Sequence, residues 1–191
     1  MIESQAYIAL AVLLGLVLAP RIPAGRRFLR EHISRVFWAV VGLFFVTDTL
    51  IAFLQYRVWQ GGALSRLLLP EYQGGYFYFY SFTRFFANHL LALGFALLLL
   101  GMMLRLNKRS GEQFFERDEP YLAAVTLFLV GHPGWLVYIV TLVVLYLGWH
   151  LLRGRARRLP LYNLWAGVGF FVLLFNLLVL QETAFWALLR I

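Results

Sequence analysis

The stretch that decides the fold is Arg35-VFWAVVGLFFVTDTLIAFLQY-Arg57, in which 21 residues stand between two arginines and only Asp48 carries a charge. An α-helix needs about 20 apolar residues to cross the roughly 30 Å hydrocarbon core of a bilayer. A carboxylate within such a run is costly, so Asp48 is also a candidate functional residue. The stretch therefore predicts a membrane-spanning helix that carries a polar site.

Five more apolar stretches extend this pattern over the whole chain. With Val36–Tyr56 they predict an all-α, polytopic bundle of six spans that forms one domain over residues 1–191. Apolar residues make up 62% of the chain and charged residues 14%, a balance unlike that of soluble globular domains. The expected partner is the lipid bilayer of a cell (inner) membrane. The other five stretches are Ala6–Ala19, Phe85–Leu104, Tyr121–Val130, Leu136–Leu152 and Leu161–Leu180.

The basic residues are distributed unevenly between these stretches. Most of the 17 Lys and Arg residues fall in Arg21–Arg35, Arg105–Arg117 and Arg153–Arg158. Short connections rich in Lys and Arg stay in the cytoplasm. These three connections, including the acidic and basic loop over residues 105–120, are therefore predicted to be cytoplasmic. Both termini are then non-cytoplasmic.

Composition argues against several function classes. The net charge of +8 does not predict a nucleic-acid partner, because the basic residues flank the spans and form no face with interleaved stacking residues. The absence of Cys excludes disulfides, thiolate metal sites and Cys nucleophiles. The four histidines share no i, i+4 spacing, so no metal site and no cofactor is predicted. They are His32, His89, His132 and His150.

The outward connection over residues 57–83 is rich in aromatic side chains and glycine. Tyr and Phe dominate its second half, Tyr72–Phe82, and alternation of polar and apolar residues is poor. Aromatic residues are enriched where membrane meets water. The segment is therefore predicted to be an aromatic loop on the outer head groups, either as an interfacial belt or as one wall of a ligand pocket.

A group of polar residues is predicted in the outer half of the membrane. Asp48 and His89 fall at similar depth by the helical rise of about 1.5 Å per residue, and Asn88, Asn176 and His132 come close to the same level. Intramembrane ionisable groups often mark ligand or proton sites. The alternative is that an Asp48–His89 pair only ties helices together.

A second charged group, Glu112 to Glu119, precedes Pro120 at the cytoplasmic mouth of the fourth stretch. Acidic residues at a helix N-terminus face the positive end of its dipole, so an ordinary helix start explains them. The alternative is that Asp118 acts as a general acid or base at a water-accessible helix entrance.

Asp118, the following Tyr121-Leu122-Ala123-Ala124 and the Gly131-His132-Pro133 turn together resemble the second catalytic segment of the type IV prepilin peptidases. In that family a Gly-x-Gly-Asp motif precedes a Leu/Ala-rich span. Arg21-Ile22-Pro23 and Arg158–Trp165 are similar to two further family segments. The resemblance implies a six-span aspartyl peptidase that cleaves a peptide leader, with Asp118 and Asp48 as the catalytic pair.

The chain diverges from that family at three positions. Phe115 and Arg117 replace the motif glycines, and Leu16–Pro20 holds no acid where the first catalytic Asp is expected. Asp48 lies 13 residues beyond Arg35, about 20 Å from the inner surface by the helical rise. A relative without activity is therefore the second interpretation.

Two other protein classes fit a six-span chain of this size. The substrate-binding subunits of energy-coupling-factor vitamin transporters resemble it in span number and in an outward pocket under a loop, although their termini are cytoplasmic. This class implies binding or transport of a small molecule. An accessory subunit of a larger membrane complex, with other membrane subunits as partners, is the third class.

Overall fold

The structure is a computed structural model that describes residues 2–111, 115–153 and 161–179. Its regular elements in these ranges are all helical, which confirms the all-α prediction. Short 3₁₀ turns cover Ala19–Arg21 and Ser65–Leu68, and a π-helical turn covers Phe82–Phe86. The described α-helices are α1 (Ile2–Leu18), α2 (Pro23–Gly61), α3 (Tyr76–Ser81), α4 (Ala87–Arg109), α5 (Glu119–Val130), α6 (Gly134–Arg153) and α7 (Leu161–Leu178).

In the described part of the chain, two helices are long and apolar enough to cross a membrane by length and composition. One is α2, with 39 residues, and the other is the continuous 34-residue helix Tyr76–Arg109, which joins α3, the π turn and α4. The parts of the other apolar helices whose side chains are described have 10–17 residues, namely Gln5–Arg21, Glu119–Val130, Gly134–Trp149 and Leu164–Leu178. Within the described residues, two of the six predicted spans therefore meet this criterion.

α2 buries one stripe of side chains along its length. Leu29, Ile33, Phe37, Val41 and Phe44 follow each other at intervals of three or four residues, the spacing that places residues on one helix face. Asp48 and Ile51 continue the same stripe. A Pro in the first turn starts the helix, where its fixed φ and missing N–H cost nothing.

The short helix α5 occupies the centre of the bundle. Eleven of its side chains are buried, and it contacts α1, α2, α4, α6 and α7. A helix that is apolar on all sides is expected inside a protein. Its 12 residues give it a length of only about 18 Å. The buried side chains run along the whole of this short helix, from Glu119 to Val130.

The predicted loop boundaries need correction. α2 extends through the basic connection at its start and onward to Gly61, and α3 begins at Tyr76, so the loop predicted over 57–83 is partly helical. The loop predicted over 105–120 is shorter for the same reason, since α4 runs to Arg109. Arg and Lys are good helix formers, and apolarity alone marks only the membrane-embedded part of a helix. Glu112, Arg155–Pro160 and Gln181–Ile191 lie outside the described residues.

Candidate functional site

Asp48 is the centre of a polar group formed by three helices. One carboxylate oxygen accepts a hydrogen bond from Gln5 Nε2 at 2.7 Å, and the other lies 2.7 Å from His89 Nδ1. Gln5 belongs to α1, Asp48 to α2 and His89 to α4. With the carboxylate ionised, Nδ1 carries the hydrogen of the second bond. Both oxygens of the acid are therefore bonded by side chains from neighbouring helices.

Burial differs sharply between the two ionisable members of this group. The Asp48 side chain is 1% exposed and the His89 side chain 16% exposed. Phe44 meets the imidazole edge to face at 5.3 Å between ring centroids, and Phe128 of α5 lies 6.1 Å from it. Since Nδ1 faces the acid, Nε2 is the imidazole nitrogen left for an external partner. His89 is thus the more exposed of the two ionisable residues.

The π turn Phe82–Phe86 ends three residues before His89. Single π turns inside α-helices occur frequently at functional sites, because the extra residue re-aims the side chains that follow. Asn88 lies beside His89, and its Oδ1 is buried with no hydrogen-bond partner among the described residues. The helix thus changes its winding just before its most polar segment.

Neither Gln5 nor the π turn was predicted from the sequence. Gln5 stands one residue before the first apolar stretch, so a boundary drawn on apolarity left it out. Gln5 stands at the predicted outer end of its stretch, whereas Asp48 lies eight residues inside the predicted outer end of its own, so the helical rise did not predict their contact. The aromatic run Phe82–Phe86 contains no local signal for a π turn.

Asn176 and His132 both lie near the turn between α5 and α6. Asn176 is 9% exposed with an unpartnered Oδ1 in the described part of the chain, and its Nδ2 lies 3.5 Å from where a Cβ would stand on Gly134. His132 Nδ1 accepts a hydrogen bond from Trp135 Nε1 at 3.2 Å. Neither Asn176 nor His132 is a hydrogen-bond partner of Asp48, whose two partners are Gln5 and His89. Their predicted convergence on Asp48 is therefore wrong.

Asp118 lies in a different polar group at the start of α5. Its side chain is 5% exposed, and its Oδ2 is buried with no hydrogen-bond partner among the described residues. Glu119 is also buried and accepts a hydrogen bond from the Glu116 backbone N–H at 3.0 Å. The Phe115 backbone N–H donates to Asn107 Oδ1 of α4 at 3.1 Å, and Asn107 Nδ2 donates to the Phe115 carbonyl at 3.2 Å.

The Asp118 group lies at the end of the molecule where α2 begins. Arg30, eight residues into α2, pairs with Glu116 at 2.9 Å. α2 and α5 therefore run in the same direction from a common end. We call it the basic end, because the described parts of Arg21–Arg35 and Arg105–Arg117 both lie there. The opposite end, formed by Trp59 and Tyr76–Phe82, is the aromatic end.

The two aspartates are not brought together. Phe44 of α2 packs on Phe128 of α5 at 5.6 Å between ring centroids, which aligns the two helices at that level. Phe128 lies ten residues beyond Asp118, or about 15 Å, and Asp48 lies one turn beyond Phe44, or about 6 Å more. The carboxylates are thus about 20 Å apart, the separation that the sequence predicts. Two acids that share a proton must lie within hydrogen-bond reach.

No cluster of three or more His, Asp or Glu side chains able to hold a metal ion occurs in the described ranges. Comparison with protein-family models, curated proteins and solved structures gives no match for this chain. The site therefore has to be interpreted from its own geometry, and the resemblance to the prepilin peptidases stays a prediction.

Proposed function

We propose that the chain is a multi-pass protein of the cell membrane and that its Gln5–Asp48–His89 group is a proton-binding site near the non-cytoplasmic side. The chain would then be a small subunit for binding or transport, with this group as its proton-binding site. One observation carries the proposal: Asp48 is 1% exposed, yet both its oxygens are bonded and one bond comes from an imidazole. Intramembrane carboxylate–imidazole pairs are typical of proton relays.

Exposed apolar side chains on three helices support the membrane location. Soluble proteins rarely expose such continuous apolar surface. Thr47 and Thr49, which lie among these side chains on α2, each donate to the backbone carbonyl four residues earlier at 2.8 Å, so their hydroxyls need no water. The exposed side chains include Leu43, Val46, Leu50 and Phe53 on α2, Leu97, Leu98 and Met102 on α4, and Val140, Val143 and Val144 on α6.

The geometry suggests a route for the proton. His89 is the more exposed member of the pair, so a proton would arrive at its Nε2. The resulting imidazolium would be stabilised by the Asp48 carboxylate, which is held in place by Gln5. Transfer of the Nδ1 proton within the 2.7 Å hydrogen bond would then leave the proton on Asp48 and make both partners neutral. An imidazole is suited to this role because either of its two ring nitrogens can carry a proton.

Two alternatives fit the geometry less well. A peptidase that used Asp48 and Asp118 would need carboxylates within hydrogen-bond reach, whereas the helices hold them about 20 Å apart. A purely structural tie between helices explains the two hydrogen bonds. It does not explain why the imidazole reaches the surface beside a π turn.

Infrared difference spectroscopy of the full chain in lipid bilayers, recorded between two pH values, tests the proposal. We expect a carboxyl band and an imidazole ring band that change with pH together, because the two groups share one hydrogen bond. Both Asp48→Asn and His89→Gln should remove the coupled change. Asp118→Asn is the matched control, since it removes another buried aspartate about 20 Å away.

The outcomes separate the two interpretations of the pair. If Asp48→Asn and His89→Gln fold normally and leave the pH difference spectrum intact, the pair is a structural tie and the proton site is wrong. Circular dichroism of each variant provides the folding check, because the chain is dominated by helix.

A further inference from the structure

A groove at the basic end is lined by four arginines. It encloses about 520 Å³ between the 3₁₀ turn Ala19–Arg21 and the first turns of α2. This volume is within the range of small-ligand sites, about 300–1,000 Å³. Two prolines, Pro20 and Pro23, frame it. The charged lining residues are Arg21, Arg26, Arg27, Arg30 and Glu31.

The arginines are not fully neutralised by neighbouring acids. Glu31 pairs with Arg27 at 3.0 Å, and Glu116 pairs with Arg30 at 2.9 Å. Arg21 and Arg26 have no carboxylate partner in the described ranges. Two guanidinium groups that line one groove are therefore available to an anion. Planar guanidinium groups bind phosphate oxygens in bidentate fashion.

The backbone around the groove adds to its positive potential. The first turn of α2 has no acidic residue and no side-chain cap, so the positive end of its helix dipole favours an anion. Gly25 brings this turn against the Ala19 carbonyl, where a Cβ would overlap the oxygen. The close approach holds Arg21 and Arg26 on either side of a tight bend.

Apolar side chains beside the arginines indicate the kind of anion. Ile22 is 60% exposed and Phe28 is 53% exposed, and both belong to the segment that forms the groove. A soluble phosphate compound has no use for exposed apolar side chains. An anionic phospholipid would place its phosphate on the arginines and the part of its acyl chains next to the head group against these residues.

We propose that this groove binds a phosphate group, namely that of an anionic phospholipid in the leaflet facing the basic end. The inference rests on the membrane location proposed above and is independent of the proton site. It goes beyond an orientation signal, because an orientation signal needs charge only, whereas this site needs Arg21 and Arg26 in particular.

Native mass spectrometry of the purified full chain, extracted in mild detergent with added phosphatidylglycerol, tests the inference. We expect bound phosphatidylglycerol on the wild type and at least a tenfold loss of affinity in the Arg21→Gln/Arg26→Gln variant. The control is Arg57→Gln/Arg66→Gln, which removes the same charge at the aromatic end and should keep the lipid. Equal binding by the two double variants would overturn the proposal.

A second arm separates a lipid from a free phosphate. Calorimetric titration of inorganic phosphate into the protein in phosphatidylcholine nanodiscs should give no saturable binding at millimolar concentration. If it does, and Arg21→Gln/Arg26→Gln abolishes it, the site is a phosphate site but the lipid assignment is wrong. Ile22→Gln/Phe28→Gln should weaken the binding of phosphatidylglycerol. Unchanged lipid binding by this variant would also contradict the lipid assignment.

Discussion

Asp48 occupies a position in α2 whose neighbours along the buried stripe, Phe44 and Ile51, are apolar. Burying a carboxylate among such side chains costs several kcal/mol unless hydrogen bonds and an opposite charge offset it. Gln5 and His89 supply these bonds, each at 2.7 Å. The three residues therefore depend on one another, because the loss of Gln5 or His89 would leave the buried carboxylate with only one hydrogen bond.

This dependence predicts that a second substitution partly restores the stability that the first one removes. His89→Leu leaves the buried carboxylate with Gln5 alone, so the free energy of unfolding should fall by about 3–5 kcal/mol. Adding Asp48→Asn to His89→Leu removes the uncompensated charge and should recover part of that loss. Reversible unfolding by SDS in mixed micelles would measure both. Additive losses in the double variant would show that the two residues are not coupled in the folded state.

At the scale of elements, the central position of α5 depends on small side chains in α7. A Cβ on Gly169 would overlap the Thr126 methyl group and contact Val130 and Leu13. Thr126 is fully buried, and its hydroxyl donates to the Leu122 carbonyl at 2.8 Å, which fixes its rotamer. α1, α5 and α7 are therefore in close contact at Gly169.

Two glycines of α7 should respond in opposite ways to the same substitution. Gly169→Ala should lower the free energy of unfolding by about 1–3 kcal/mol, the usual cost of overpacking a core. A Cβ on Gly167 would meet no atom of the described residues within 4 Å, so Gly167→Ala should be neutral or stabilise by up to about 1 kcal/mol through helix propensity. Thermal unfolding of the two variants in the same detergent provides the comparison. Equal melting temperatures would contradict the close approach.

The sequence predicted those elements and site residues whose chemistry stands out against an apolar background. Asp48 and His89 were predicted to share a depth, because helical rise converts residue number into height, and the structure places them in contact. Gln5 and the π turn Phe82–Phe86 were missed. Packing of Tyr80 on Trp59 at 5.0 Å fixes the segment before that turn, and such a tertiary contact leaves no local pattern.

For the whole molecule, charge and aromatic side chains are separated along the long axis. Arg30 and Glu116 mark the basic end, and the rings of Trp59, Phe77 and Tyr80 cluster at the other. Exposed apolar side chains cover the helices between the two ends. This order matches a bilayer with basic residues on the cytoplasmic side and aromatic residues at the opposite interface.

The orientation can be tested directly because the chain contains no cysteine, so a single introduced thiol is the only one. Leu64, near the aromatic end, is 83% exposed, and the Arg27 side chain at the basic end is also 83% exposed. In intact cells a membrane-impermeant maleimide should label Leu64→Cys and should leave Arg27→Cys unlabelled. Permeabilising the membrane should make Arg27→Cys react as fully as Leu64→Cys, since the two positions are equally accessible once the barrier is removed. Labelling of Arg27→Cys alone in intact cells would invert the orientation, and labelling of both would contradict the membrane location on which the phosphate site depends.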